Sequence, residues 1–214
     1  KASDLSSPPP RSDPVVTPDE LNIVHYPHPA LRWKSKPVHR VDDTLRSIVS
    51  RMFELMNEAS GIGLAANQIA LPYQLFVISI METEDHPAIE QVLVNPVLQN
   101  QKGSHETEEG CLSLPNLYGP VKRATSVDVR AYDLDGNEIH FHAESLHARV
   151  IQHEHDHLHG RLFIDRMSEM KKRELSGPLE DFRYHHRQLQ QHQKLESDEH
   201  LRDDLRKWEQ HLTG

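Results

Sequence analysis

His153-Glu154-His155-Asp156-His157 is the stretch that leaves this chain the least freedom. On an α-helix, residues i and i+4 lie about 40° apart around the axis, so His153 and His157 project from one face. Two imidazoles one turn apart can hold a metal ion, with Glu154 beside the first of them as a base. The surrounding stretch, 144–160, reads as a buried helix. Leu146, Val150, His153 and His157 share a stripe, and Gly160 stands where a left-handed stop is expected. The chain has 17 histidines, so chance pairs have to be weighed. His155 and His159 form a second i,i+4 pair. They are rotated by about 200° from His153 and have no Glu after the first His, so solvated surface positions are expected for them. A helical pair supplies two ligands, whereas a catalytic site needs three and an open position.

Composition narrows the classes. A chain of 214 residues fits one domain with extensions, and its mean hydropathy of −0.68 is low for a compact body, which points to polar tails. A formal charge of −9 argues against a general nucleic-acid binder, and no direct sequence-specific nucleic-acid contact is expected. The clearest apolar run, Leu75 to Met81, is far too short to span a bilayer, so no membrane anchor is expected. The single cysteine, Cys111, excludes an intramolecular disulfide framework and suits a reducing compartment. Lys1 rather than Met at the start is compatible with a removed targeting segment.

In chain order, residues 1–20 are rich in Pro, Ser and charge and read as a flexible extension. Residues 21–38 read as an extended segment laid over a core. Asp42 or Asp43 caps a helix running to about Ser60, with Gly61 at its stop. Residues 61–68, Gly-Ile-Gly-Leu-Ala-Ala-Asn-Gln, read as a small-residue loop that permits close backbone approach and ends in the donor amide of Gln68. Strands are expected over 73–80 and 89–94, with Asn95-Pro96 closing the second. Residues 127–132 and 137–142 flank Asp135-Gly136 and predict a hairpin. Residues 161–165 read as a short strand, and from about Ser168 the chain reads as helix. Leu201, Leu205, Trp208 and Leu212 form a late amphipathic stripe, which either folds back on its own domain or docks a partner. Strands preceding a motif helix indicate an α+β fold, with antiparallel β-sheets packed around a central helix carrying the His pentad.

The third ligand decides the class. In one metalloprotease pattern a His follows the Gly by three residues, but position 163 is Phe. A second pattern takes a downstream Glu, for which Glu169 and Glu174 are candidates. A third possibility lies upstream, in Glu109-Gly110-Cys111-Leu112-Ser113. A lone Cys is usually a small buried hydrophobe, but three blocks occur together here: G-I-G-L-A-A-N-Q (61–68), E-G-C-L-S (109–113) and Q-H-E-H-D-H (152–157). In that order they resemble the peptide deformylases, and the resemblance runs from about Leu21 to Met167. It divides the chain into a 1–20 extension, a 21–167 catalytic domain and a charged helical extension, 168–214.

The resemblance implies that Cys111, His153 and His157 hold one divalent ion. Fe2+ is expected, with Zn2+, Ni2+ or Co2+ as alternatives that an S/N/N set does not separate. It implies hydrolysis of the formyl group from N-formylmethionine of nascent peptides, releasing formate. Glu154 would take a proton from the attacking water and return it to the leaving amine. The Gln68 amide and the Leu112 backbone N–H would meet the oxyanion. Gly63 and Gly110 would flank an extended peptide, and Ile62, Leu146 and Val150 would form the methionine pocket. An ion pair between Glu109 and Arg123 would brace the Cys111 segment. Asn116 departs from the Gly or acidic residue that many relatives carry. The C-terminal helix would be the element to contact a ribosome. The expected location is a bacterial cytoplasm, or an organelle interior if a transit segment was removed.

Overall fold

The structure is a computed structural model that describes residues 17–81 and 88–213, the last three as backbone only. Most of the 1–20 extension, the loop after Met81 and the Leu212 side chain fall outside those residues.

Helix α1, Asp43–Glu58, begins where the Asp42 carboxylate accepts the Leu45 N–H at 2.9 Å. It buries Leu45, Ile48, Val49, Met52, Leu55 and Met56. The stop differs by one residue from expectation. Ser60 takes the left-handed position, at φ 54°, and Gly61 supplies the N–H that closes on the Met56 carbonyl.

Seven strands follow: β1 (Gly63–Ala65), β2 (Leu75–Ile80), β3 (Ile89–Lys102), β4 (His105–Cys111), β5 (Leu114–Arg123), β6 (Ser126–Tyr132) and β7 (Glu138–Glu144). Five form an antiparallel sheet in the order β1-β2-β3-β6-β7, and β4 and β5 form a separate hairpin. Two expectations are corrected here. Residues 61–68 are not an open loop, because β1 pairs with β2 and a 3-10 turn, Ala66–Ile69, carries Gln68. Nor does Asn95-Pro96 end its strand. A register shift between Val94 and Val97 accommodates the proline, while the Asn95 side chain bonds both backbone groups of Val38 at 2.8 Å. The β6–β7 hairpin forms as Asp-Gly predicts, with Gly136 at φ 79°.

The pentad lies on α2, Ser145–Leu158, and Gly160 ends the helix region at φ 67°. Ala148, Val150, Ile151 and Leu158 pack on the sheet with Phe76, Ile78, Val127 and Val129. Two readings of α2 change. Leu146 is 47% exposed, because the stripe opens into a cavity at the first turn. His155 is half-buried rather than solvated. Burial first, and His159 second, lower its pKa to about 4, while His159 itself stays exposed.

Residues 161–165 are not a strand. Asp165 captures the Leu162 N–H at 2.8 Å and turns the chain into the one-turn helix α3, Phe163–Arg166. Three helices follow: α4 (Glu169–Glu174), α5 (Ser176–Gln191) and α6 (Asp198–Thr213). Leu175, Leu179 and Phe182 pack with Tyr26, Leu114 and Leu117, beside Cys111. Leu205 is buried, Trp208 packs against the α1 core, and the Trp33 Nε1–H donates to Glu209 at 2.7 Å. The apolar stripe of α6 therefore folds back on its own domain. Among the described residues, no helix is long and apolar enough to cross a membrane.

Candidate active site

Cys111 is the last residue of β4, where the register with β5 shifts, so the Leu112-Ser113 turn swings its sulfur toward α2. Its Sγ lies 3.4 Å from His157 Nε2, and the His153 and His157 rings meet edge to face at 5.1 Å. The ligand atoms of Cys111, His153 and His157 all lie within 4.8 Å of one another, a group able to hold one metal ion. Glu169 and Glu174, the downstream alternatives, lie exposed on α4 and pair with Lys172 and Lys171.

The His153 Nδ1–H donates to Glu109 Oε2 at 3.0 Å, leaving Nε2 for a metal. Glu109 also accepts from Arg123 Nε at 2.6 Å and Nη2 at 2.8 Å, the ion pair expected from the sequence. Arg123 continues to Asp156 at 2.8 Å, and Asp156 to Arg166 Nε at 2.6 Å. Burial would raise Glu109, but hydrogen bonds from His153 and Arg123 hold its carboxyl down at about 2. Burial would likewise lower His153, but Cys111 and Glu109 outweigh it and lift the ring to about 10. The anionic surroundings that retain a proton there also favour a divalent cation, which would displace it. His157, buried and beside His153, is driven well below the ordinary value and stays neutral, as a ligand must.

Glu154 is buried beneath β1, and among the described residues its Oε2 has no hydrogen-bond partner. Burial lifts its pKa to about 7, with Glu109 and Asp156 adding to the rise and His153 and Arg123 opposing it. A Cβ on Gly63 would run into this carboxylate, so close approach is what requires glycine there. Gln68 is buried, and its Oε1 accepts the Ala65 N–H at 2.8 Å. The amide NH2 is thereby turned to the Cys111 sulfur at 3.4 Å and to Ser113 Oγ at 3.3 Å.

These groups open into a cavity of about 640 Å³. Ile62, Gly63, Gly110, Leu112, Leu146 and Val150 all line it, so every residue singled out for substrate reaches one space. Val150 is buried, whereas Ile62 and Leu146 are partly exposed at the mouth. Tyr118 covers Gly110, and Arg149 lies on the cavity wall. Sequence reading missed both, as well as the ties of Asp156 to Arg123 and Arg166. The spacing of Arg149 one turn before His153 was the available signal.

A buried carboxylate beside an S/N/N ligand group, at the floor of an apolar cavity in an α+β fold, defines a metal-dependent hydrolase of the His-Glu-x-x-His type. A profile described as "Polypeptide deformylase" matches residues 20–173. A peptide deformylase of Rhodopirellula baltica is 42% identical over 194 residues, covering 91% of this chain and 96% of the relative. One from Hydrogenovibrio crunogenus is 46% identical, covering 72% and 89%. Among solved structures, a plant peptide deformylase superposes with TM-score 0.76 at 36% identity, covering 86% of this chain and 98% of the other. A Legionella pneumophila peptide deformylase gives 0.70 at 38%, covering 77% and 95%. The chain belongs to the polypeptide deformylase family.

Proposed function

We propose that this chain removes the formyl group from N-formylmethionine at the start of new peptides, releasing formate, with one divalent ion held by Cys111, His153 and His157. The observation that carries the reading is the ligand group within 4.8 Å, with the buried, unpartnered Glu154 oxygen beside it. A thiolate and two neutral imidazoles suit a borderline divalent ion, and Fe2+ is our expectation, with Zn2+, Ni2+ or Co2+ as substitutes. When bound, the ion supplies Lewis acidity that acidifies water and polarises the formyl oxygen.

The rest of the chemistry falls to side chains. Glu154, with a pKa near neutrality, takes the proton from the attacking water and hands it to the amine that leaves. The Gln68 amide and the Leu112 N–H face the developing oxyanion. Gly63 and Gly110 leave room for an extended peptide between β1 and β4, with Ile62, Leu146 and Val150 around the methionine side chain. Residues 21–167 form the catalytic unit, and 168–214 its helical extension. The work falls where formylated chains are made, in a bacterial cytoplasm or an organelle interior. A ribosomal contact would use the charged outer face of α6, because its apolar stripe is covered.

The test is formate release from formyl-Met-Ala by protein loaded anaerobically with iron or nickel. Turnover that disappears in Glu154→Ala while metal is retained supports the reading. A Cys111→Ser variant with unchanged metal content and turnover overturns it.

A further inference from the structure

The three ligand atoms come from two separate pieces of structure. Cys111 sits on the β4–β5 hairpin and the histidines on α2, yet the hairpin shares no ladder with the sheet on which α2 packs. Among the described residues the backbone joins the two only at their ends, where the Ser145 N–H donates to the Thr125 carbonyl at 2.9 Å, so along their lengths side chains set the distance between sulfur and imidazoles. Gln152 and Asp156 tie α2 to the end of β5, at Ala124 and Arg123. Arg149 reaches β4, the strand that carries Cys111. Its Nη1 donates to Glu109 Oε1 at 2.6 Å and to the Val121 carbonyl at 3.0 Å, and its Nη2 to the His105 carbonyl at 2.7 Å. One guanidinium from α2 thus grips both strands of the hairpin and the carboxylate that orients His153.

Arg123 also reaches α2, through Asp156 at 2.8 Å, but it does so from the end of β5. Its pair with Glu109 lies within the hairpin and does not place β4 against the helix. Two of the three Arg149 acceptors are uncharged carbonyls. Its part is therefore mainly geometric, and a planar fork can span three acceptors that a compact ammonium cannot.

Building on the metal-hydrolase reading above, we propose that Arg149 is a positioning residue: it holds Cys111 at ligand distance from His153 and His157 before the ion arrives. The site is then preorganised, and part of the metal affinity comes from a residue that never touches the metal.

The test uses full-length Arg149→Met and Arg149→Lys with Co2+ as the probe. It reads affinity by competition with a chelator, the thiolate-to-cobalt charge-transfer and ligand-field bands, and the rise in Tm that Co2+ produces. Both variants are expected to bind Co2+ roughly ten- to hundredfold more weakly, with shifted bands and a smaller metal-induced rise in Tm. Lysine should recover little, because its charge is retained but its span is not. Wild-type affinity and bands in either variant, even with a lowered metal-free Tm, would show that Arg149 only braces the fold and overturn the proposal. If Arg149→Met does not fold, the lysine variant decides in the same way. Failure of the underlying reading looks different: the wild-type protein itself would bind Co2+ without a thiolate band.

Discussion

Arg183 on α5 donates to the Tyr26 hydroxyl at 2.7 Å while its guanidinium lies 5.5 Å over the Tyr26 ring. The segment it holds bridges two parts of the site. The Val24 N–H bonds the Gln68 carbonyl, and the Tyr26 N–H bonds the Ser113 carbonyl, at 2.8 and 2.9 Å. Helix α5 therefore supports the turns that carry Gln68 and Leu112. Arg183→Met should cost about 1 kcal/mol, since the side chain is partly exposed and its charge interactions are screened. The control is Arg187→Met, whose exposed pair with Glu180 should be worth only a few tenths. Urea unfolding midpoints of the two variants check the contrast.

Gln68 offers a cleaner separation of chemistry from metal binding. Its carbonyl is fixed by the Ala65 N–H, so its NH2 is committed to the cavity side. Losing one oxyanion donor typically costs about 3–4 kcal/mol of transition-state stabilisation. Gln68→Leu should accordingly lower kcat by a factor on the order of 10² to 10³, with metal content per chain unchanged. Rates and metal analysis on the same preparation test this, and an unchanged kcat removes Gln68 from the mechanism.

Two glycines should answer the same substitution in different ways. At Gly63 an added Cβ meets the Glu154 carboxylate and its adjoining carbons, all within 3 Å. Gly63→Ala must therefore displace the base, lowering kcat far more than metal content. At Gly136 an added Cβ meets nothing within 4 Å, but φ is 79°. Gly136→Ala should cost about 1–2 kcal/mol of stability, from the left-handed conformation alone, and leave kcat intact. Equal losses of kcat in the two variants would contradict this placing of Glu154.

What the sequence disclosed depended on whether the deciding interactions were local. The pentad helix was legible because i,i+4 spacing and Gly160 are local signals, and the β6–β7 hairpin because Asp135-Gly136 is one. β4 and β5 were not. His105 to Gly110 is charged, and 114–123 contains two prolines, so no alternation marks either strand; their pairing with each other supplies the structure. The departure at Asn116 also becomes intelligible. Its φ is 62°, a conformation that Asn tolerates after Gly better than most residues. In the site, the three motif blocks singled out Cys111, His153, His157 and Glu154, which the fold brings together. Arg149 stayed hidden because an arginine on a helix ordinarily reads as a solvated face, and its partners lie 28 to 44 residues away.

His28 makes acid stability predictable. Its buried Nδ1 accepts the Ala30 N–H at 3.2 Å, so protonation must break that cap. Burial first, and the neighbouring His186 second, lower its pKa from 6.5 to about 4, against a partial rise from Asp198, which pairs with His186 at 2.8 Å. A folded-state pKa below the unfolded one means that the unfolded chain binds the proton first. The stabilisation is thus complete above about pH 6.5 and is lost as pH falls toward about 4, amounting to no more than about 3 kcal/mol. His28→Asn keeps a capping oxygen for the Ala30 N–H and removes the titration. Urea midpoints from pH 7.5 to 4 should therefore fall less steeply for His28→Asn than for the wild type. Asp198, whose pKa is also lowered, remains in both proteins and cancels from the comparison. Parallel curves for the two proteins would mean that His28 is already protonated in the folded state, with its cap to Ala30 broken.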